Sequence, residues 1–258
     1  MRRFFLSVLF AISLSNSPVW AGVDFDGVDD YVTAGSAADI DNMFPATIAL
    51  WANIDNAGEA NDGRIFDKTD AGNGYALGTE NTGDIFFFQA GTATFFYCSS
   101  AGAATFDTWQ HIALTWTGEV DSTCSAIKLY VNGTLKSWTT TQGSGTRPTD
   151  AASNFIIGNK NAAGANTGDL TISNFVIIKA VLTQAKITQL ANDRTALAAM
   201  NVSTTRPTRF WRFDETPDGT NANGVVFDDM MGIGTATADD GANNTGMTAM
   251  AEAVLSYP

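Results

Sequence analysis

Two arms of alternating apolar and polar residues, Trp109–Trp116 and Ile127–Trp138, constrain the fold of this chain more than any other stretch. In the first arm Ile112, Leu114 and Trp116 alternate with His111, Ala113 and Thr115, the period-two pattern of a strand with one buried face. The second arm holds Asn132-Gly133, two residues that tolerate positive φ, as a two-residue hairpin turn requires. The rest of the chain repeats the theme. Thr47–Ile54, Arg64–Asp67, Gly74–Gly78, Asp84–Phe88, Thr94–Tyr97, Asn154–Gly158 and Leu170–Ile178 are short runs rich in β-branched and aromatic residues, bounded by Gly, Asn or Asp. Five glutamates against 22 aspartates and 24 glycines likewise favour turns over helix interiors. An all-β, two-sheet sandwich follows, and sandwiches of this length are often single domains. One segment breaks the pattern: Thr183 can cap a short helix near 184–198, with Ala185, Ile187 and Leu190 followed by Leu197 and Met200.

The chain opens with Arg2-Arg3, an apolar run from Phe4 to Leu14, and Val19-Trp20-Ala21, the order of a secretory signal peptide over residues 1–21. The apolar run is shorter than the roughly 20 residues a spanning helix needs, so no membrane insertion is expected after cleavage. The expected location is extracellular or periplasmic. The net charge of −13 becomes −15 when the two leader arginines are removed (−13 − 2 = −15), which excludes nucleic acid and anionic membranes as partners. The two cysteines, Cys98 and Cys124, flank the strand at Gln110–Thr117 and read as a disulfide in an oxidising compartment or as two buried thiols.

A Trp before a His-bearing strand that ends in Thr115-Trp116, followed by the Leu129-Tyr-Val-Asn-Gly133 hairpin, resembles the centre of a laminin-G-like, concanavalin A-like jelly roll. Val23-Asp-Phe25-Asp-Gly27-Val-Asp-Asp30-Tyr-Val32 resembles the first strands of such domains, and the resemblance runs from about Val23 to Leu190. It implies a two-sheet antiparallel β-sandwich of a family that mostly binds sugars or proteins, with some hydrolase branches. Phe210-Trp211-Arg-Phe213-Asp214-Glu215, with Val226-Phe-Asp-Asp229, is similar to an opening that usually precedes the first strand but here comes last. Two readings stay open: residues 209–234 close a permuted sandwich spanning 22–234, or they begin a truncated repeat. Residues 235–258 read as a loose or covering tail.

The sandwich-fold hydrolases carry Glu-x-Asp-x-x-Glu on one strand, which is missing here, and Glu59, Glu80, Glu119, Glu215 and Glu252 stand far apart. Gly-x-Ser-x-Gly is also missing, so a non-catalytic module is expected. Calcium is the one candidate cofactor, because flexible loops here are rich in carboxylates and amides. Asp24-x-Asp26-Gly27 starts like an EF-hand loop but lacks its later ligands. His111 to Thr117 is similar to the pentraxin signature, with Ala113 in place of its cysteine, and the similarity implies calcium loops at Asp67, Asp70 and Asn73 and at Asn159 and Asn161. Asp169 with Asn174 is a further candidate pair. For a sugar platform the candidates are Tyr75, Tyr97 and Trp138, near loops or hairpin ends, whereas Trp51, Trp109 and Trp116 follow core periodicity. Phe86-Phe87-Phe88 must place at least one ring outward on a strand, and His111 is expected to face the surface or the hairpin. The expected function is a secreted carbohydrate-binding or adhesion module whose partner is a carbohydrate, a glycosylated surface or a protein. The alternatives are a structural, protein-binding sandwich or a glycoside hydrolase.

Overall fold

The computed structural model describes residues 22–118, 121–160, 166–193, 205–213, 223, 225–231, 235–239 and 248–250. The leader at 1–21, Asn161, Glu119, Glu215 and Glu252 lie outside the described residues. The elements run β1 (Gly22–Asp26), β2 (Tyr31–Gly35), β3 (Ala46–Ile54), β4 (Asp62–Asp67), β5 (Tyr75–Glu80), β6 (Asp84–Gln89), β7 (Phe96–Ser100) and β8 (Trp109–Trp116). They continue with β9 (Ile127–Val131), β10 (Thr134–Lys136), β11 (Thr140–Gln142), β12 (Phe155–Ile157), β13 (Asp169–Ile178), α1 (Gln184–Asn192), β14 (Arg209–Trp211), β15 (Val226–Asp228), β16 (Thr235–Asp239) and β17 (Thr248–Met250).

These strands form two antiparallel sheets. An eight-stranded sheet has the order β10-β9-β8-β3-β13-β1-β17, with β14 also paired to β13. A nine-stranded sheet has the order β11-β7-β6-β5-β4-β12-β2-β16-β15. The two arms that dominate the sequence are β8 and β9, joined in register with Ile112 opposite Val131 and Trp116 opposite Ile127. Asn132 (φ 49°) and Gly133 (φ 74°) make the turn into β10, and the Asn132 side-chain oxygen accepts the His111 N–H at 2.9 Å. The C-terminal strands join both sheets: β17 pairs with β1, β16 with β2 and β14 with β13.

The core lies between the sheets, where Phe25, Ile48, Leu114 and Trp116 from one meet Phe66, Tyr75, Phe87 and Phe96 from the other. A second apolar layer sits outside the eight-stranded sheet, where Ile187 and Leu190 of α1 cover Ala49, Ala113, Tyr130 and Val176. Thr183 occupies the N-cap position but makes no capping hydrogen bond, and the helix ends at Asn192 rather than near 198 because Asp193 is extended (φ −120°, ψ 106°). Residues 194–198 lie outside the described residues. The disulfide Cys98–Cys124 ties β7 of one sheet to the β8–β9 connection of the other, with Cα atoms 6.1 Å apart.

A buried ion network closes one end of the sandwich. The Lys68 ammonium, fully buried, donates to Asp41 Oδ1 (2.9 Å) and to the carbonyls of Asp150 (3.0 Å) and Ser153 (2.6 Å). Asp150 in turn accepts from Arg147 (2.6 Å), whose guanidinium lies 4.5 Å from the Phe44 ring centroid. The network joins the loops around Asp41 and Asp150 to the end of β4.

Tyr75 corrects the sequence reading. Expected near a binding surface, it is fully buried, because its position on β5 shares the inward parity of Leu77, and its ring meets Trp116 edge-on at 4.9 Å. Burial holds its phenol well above the ordinary range. Its hydroxyl finds no hydrogen-bond partner among the described residues. An unsatisfied buried hydroxyl costs about 1–3 kcal/mol, so Tyr75→Phe is expected to keep or raise the urea midpoint. A lower midpoint would show that the hydroxyl is bonded.

Candidate functional site

Period-two alternation decides which side chains of the nine-stranded sheet face away from the core. On β6, Ile85 and Phe87 point inward and Phe86 and Phe88 outward. On β7 the inward residues are Phe96 and Cys98, leaving Tyr97 and Ser99 outside. Register then places Phe88 directly opposite Tyr97, and Phe86 opposite Ser99. Phe95, just before β7, is 47 % exposed, and its ring centroid lies 5.5 Å from that of Phe88. Phe86 and Tyr97 stack at 5.7 Å with planes 19° apart. An aromatic strip thus crosses β6 and β7, with Phe88, Phe95 and Tyr97 reaching solvent.

Beneath it, Gly78 of β5 permits the arrangement: a Cβ there would come within 2.5 Å of both the Phe86 ring and the Gly63 carbonyl. Above Phe86 lies the Arg64 guanidinium, 4.9 Å from the ring centroid. A register shift between Arg64 and Phe66 puts Arg64 and Asp67, three residues apart, on the same outward face. Arg64 Nε donates to Asp67 Oδ2 at 3.1 Å, and Nη1 donates to the Asp62 carboxylate. Glu80 accepts from the Tyr97 hydroxyl and from Ser99 Oγ (2.9 Å). Burial, then the bond to Glu80, drives the Tyr97 phenol up beyond its ordinary value. Beside Phe88 and Arg64 opens a pocket of about 370 Å³, lined further by Thr69, Asp70, Asn73 and Lys160. That is the lower end of the range for small-ligand sites.

Asp67, expected as a calcium ligand, is fully buried, and its oxygens are taken by Arg64 and by the N–H and hydroxyl of Thr69 (both 2.6 Å). Burial pushes its carboxyl up to about 6, against the opposing pull of Thr69 and Arg64. The folded state therefore holds this proton more tightly than the unfolded chain, and Asp67 lowers stability as pH rises from about 4 to about 6. In urea titrations Asp67→Asn is expected to remove that part of the pH slope; parallel slopes for the two proteins would refute the assignment.

The other expected residues are scattered. Asp70 and Asn73 face each other across a tight turn (N···O 3.2 and 2.8 Å) at the pocket rim. Asn159 is buried and structural, donating to Thr167 Oγ1 (2.8 Å) and the Asp30 carbonyl (3.3 Å). Asp169 accepts from Asn56, and its carboxyl is raised by burial and by Asp26 and Asp107. Asn174 (φ 51°) sits in the irregularity of β13, its N–H on the Arg212 carbonyl at 3.3 Å, five residues or roughly 16 Å along the strand from Asp169. The two do not form one site. Trp138 is half-buried against the core, its indole N–H on the Ile127 carbonyl at 2.9 Å, so it stands apart from the strip. His111, expected to face the surface or the hairpin, is 2 % exposed beside Trp51 with its backbone N–H on Asn132 of the hairpin turn, and burial pushes its imidazole down to about 4. Among the described residues, Asp26, Asp29 and Asp30 form the one group of three acids whose carboxylate oxygens lie within 4.8 Å of one another. Phe88, Phe95, Arg64, Glu80 and Lys160 were not among the expected site residues; the run Phe86–Phe88 was the available signal.

Two antiparallel sheets enclosing one core, with an aromatic and polar outer face, define a lectin-type sandwich. Residues 26–188 match the family model of the concanavalin A-like lectin/glucanases superfamily, and the chain belongs to that family. A search of curated proteins gives no match. Among solved structures, the chain is similar to a Bacteroides ovatus protein proposed to bind carbohydrate (TM-score 0.58, 14 % identity), over 92 % of this chain and 61 % of that one. It is also similar to the heptameric SAP-like pentraxin of Limulus polyphemus (TM-score 0.53, 13 % identity), over 92 % and 97 %. At these identities the likeness is one of fold.

Proposed function

We propose that this protein is an exported, non-catalytic module that binds glycans on the outer face of its nine-stranded sheet. One observation carries the reading: Phe88, Phe95 and Tyr97 expose rings beside a pocket edged by Arg64, Thr69, Asp70, Asn73 and Lys160. Sugar rings pair an apolar C–H face with hydroxyl edges, and such a strip offers aromatic surface for the first and hydrogen-bonding groups for the second. The family, and the carbohydrate binding proposed for the Bacteroides ovatus neighbour, support it. Export is supported by the leader-like start and by the disulfide. Asp62, Asp67 and Glu80 on this face are each hydrogen-bonded to protein groups, which favours binding over acid–base chemistry. A glycan array with the full chain tests the proposal, and silence across the array would reject it.

Calcium belongs to this proposal as a structural ion only. Asp67 and Asp169 are engaged by protein donors and belong to no close group of three acids among the described residues. Although Asp26 and Asp30 also accept the backbone N–H groups of Val28 and Asp26 (both 2.9 Å), the turn of Asp26, Asp29 and Asp30 brings three carboxylates within 4.8 Å, oxygens of the kind calcium takes. Melting in calcium is expected to give a higher Tm than melting in EDTA, with glycan binding equal in both; identical Tm values would remove the ion.

A further inference from the structure

We propose that the glycans held by this face are neutral, carrying no carboxylate, sulfate or sialic acid group; this deepens the reading above and rests on it. The argument begins with Arg64. Recognition of an acidic sugar by arginine uses two parallel N–H groups of the guanidinium fork on one anion. Here Nε is held by Asp67 and Nη1 by the Asp62 carboxylate and carbonyl (3.2 Å), while the guanidinium lies over Phe86. Each fork edge therefore has one of its two nitrogens taken by the protein's own carboxylates. Among the described residues Nη2 is the nitrogen left: its two N–H groups can each donate to a hydroxyl oxygen, but neither has a free parallel partner on Nε or Nη1 with which to grip one anion.

The surrounding charge acts in the same direction. Lys160 is the other cation at the pocket, and Asp70 stands on its rim. Asp62, Asp67, Asp70 and Glu80 on this side give four carboxylates to two cations, in a chain of net charge −13. An anionic sugar would meet a repulsive field, whereas hydroxyls find acceptors in Asp70 and Glu80 and donors in Lys160 and Arg64. The aromatic strip requires an uncharged C–H face as well.

The test is calorimetric titration of the full chain with xylan, arabinan, galactomannan and mixed-linkage β-glucan, and separately with polygalacturonate, alginate and heparin, at low and high sodium chloride. Binding to at least one neutral polymer, with affinity changing less than about twofold between the salt conditions, is the expected result, since no exposed ion pair forms to be screened. Binding confined to acidic polymers, or a neutral polymer whose affinity falls tenfold in salt, overturns the neutral class and leaves glycan binding standing. Failure to bind any of the seven overturns both.

Discussion

Alanine at both Phe88 and Phe95 is expected to weaken glycan binding by about 10- to 100-fold, the scale on which central aromatic anchors act at binding surfaces. The two rings touch each other at 5.5 Å and lie outside the core, so their removal strips the strip of stacking surface without opening a cavity between the sheets. The far-ultraviolet spectrum and Tm should stay near those of the parent. Phe87, the neighbour facing inward, supplies the contrast: Phe87→Ala creates a cavity in the core and is expected to cost about 3–5 kcal/mol of stability. Full affinity in the double variant, measured on any glycan the parent binds, would move the site elsewhere on the molecule.

Loss of Lys68 is the second large effect. The ammonium is buried, bonded to two carbonyls and paired with Asp41, so Lys68→Ala leaves desolvated acceptors and a broken ion network. Removing one partner of a buried pair costs about 3–5 kcal/mol, which for a domain of this size lowers Tm by roughly 10 °C. Lys128 is exposed on β9, and Lys128→Ala should leave Tm within about 2 °C of the parent. Equal melting for the two variants would show that the network contributes no stability.

The β8–β9 hairpin was fully legible because both signals are local: alternation assigns the faces, and Asn132-Gly133 assigns the turn. The family followed from the same residues. The site was legible only in part. Tyr97 and the outward ring of the Phe86–Phe88 run could be read from parity, but their opposition depends on the register of β6 against β7, a non-local fact. Tyr75 misled because Gly74 beside it looks like a loop; the parity shared with Leu77 was the better guide. That Arg64 and Asp67 share a face was beyond reach for a different reason. Strict alternation sends residues three apart to opposite faces, and only the register shift between them brings both to one face. Lys160, nearly a hundred residues from Arg64 in sequence, reaches the pocket through a loop.

The pairing of β17 with β1 and of β16 with β2 also sets the order in which the molecule can be completed. While the chain emerges from the ribosome, β1 and β2 are made about 200 residues before β17 and β16, their neighbours on one side. Until residues 235–239 are available β2 lacks its neighbour, and until 248–250 are available β1 lacks its own, each leaving unpaired backbone of the kind that invites pairing between chains. Completion of the sandwich therefore waits for residues 248–250, and until then the unpaired sides of β1 and β2 depend on something else to shield them.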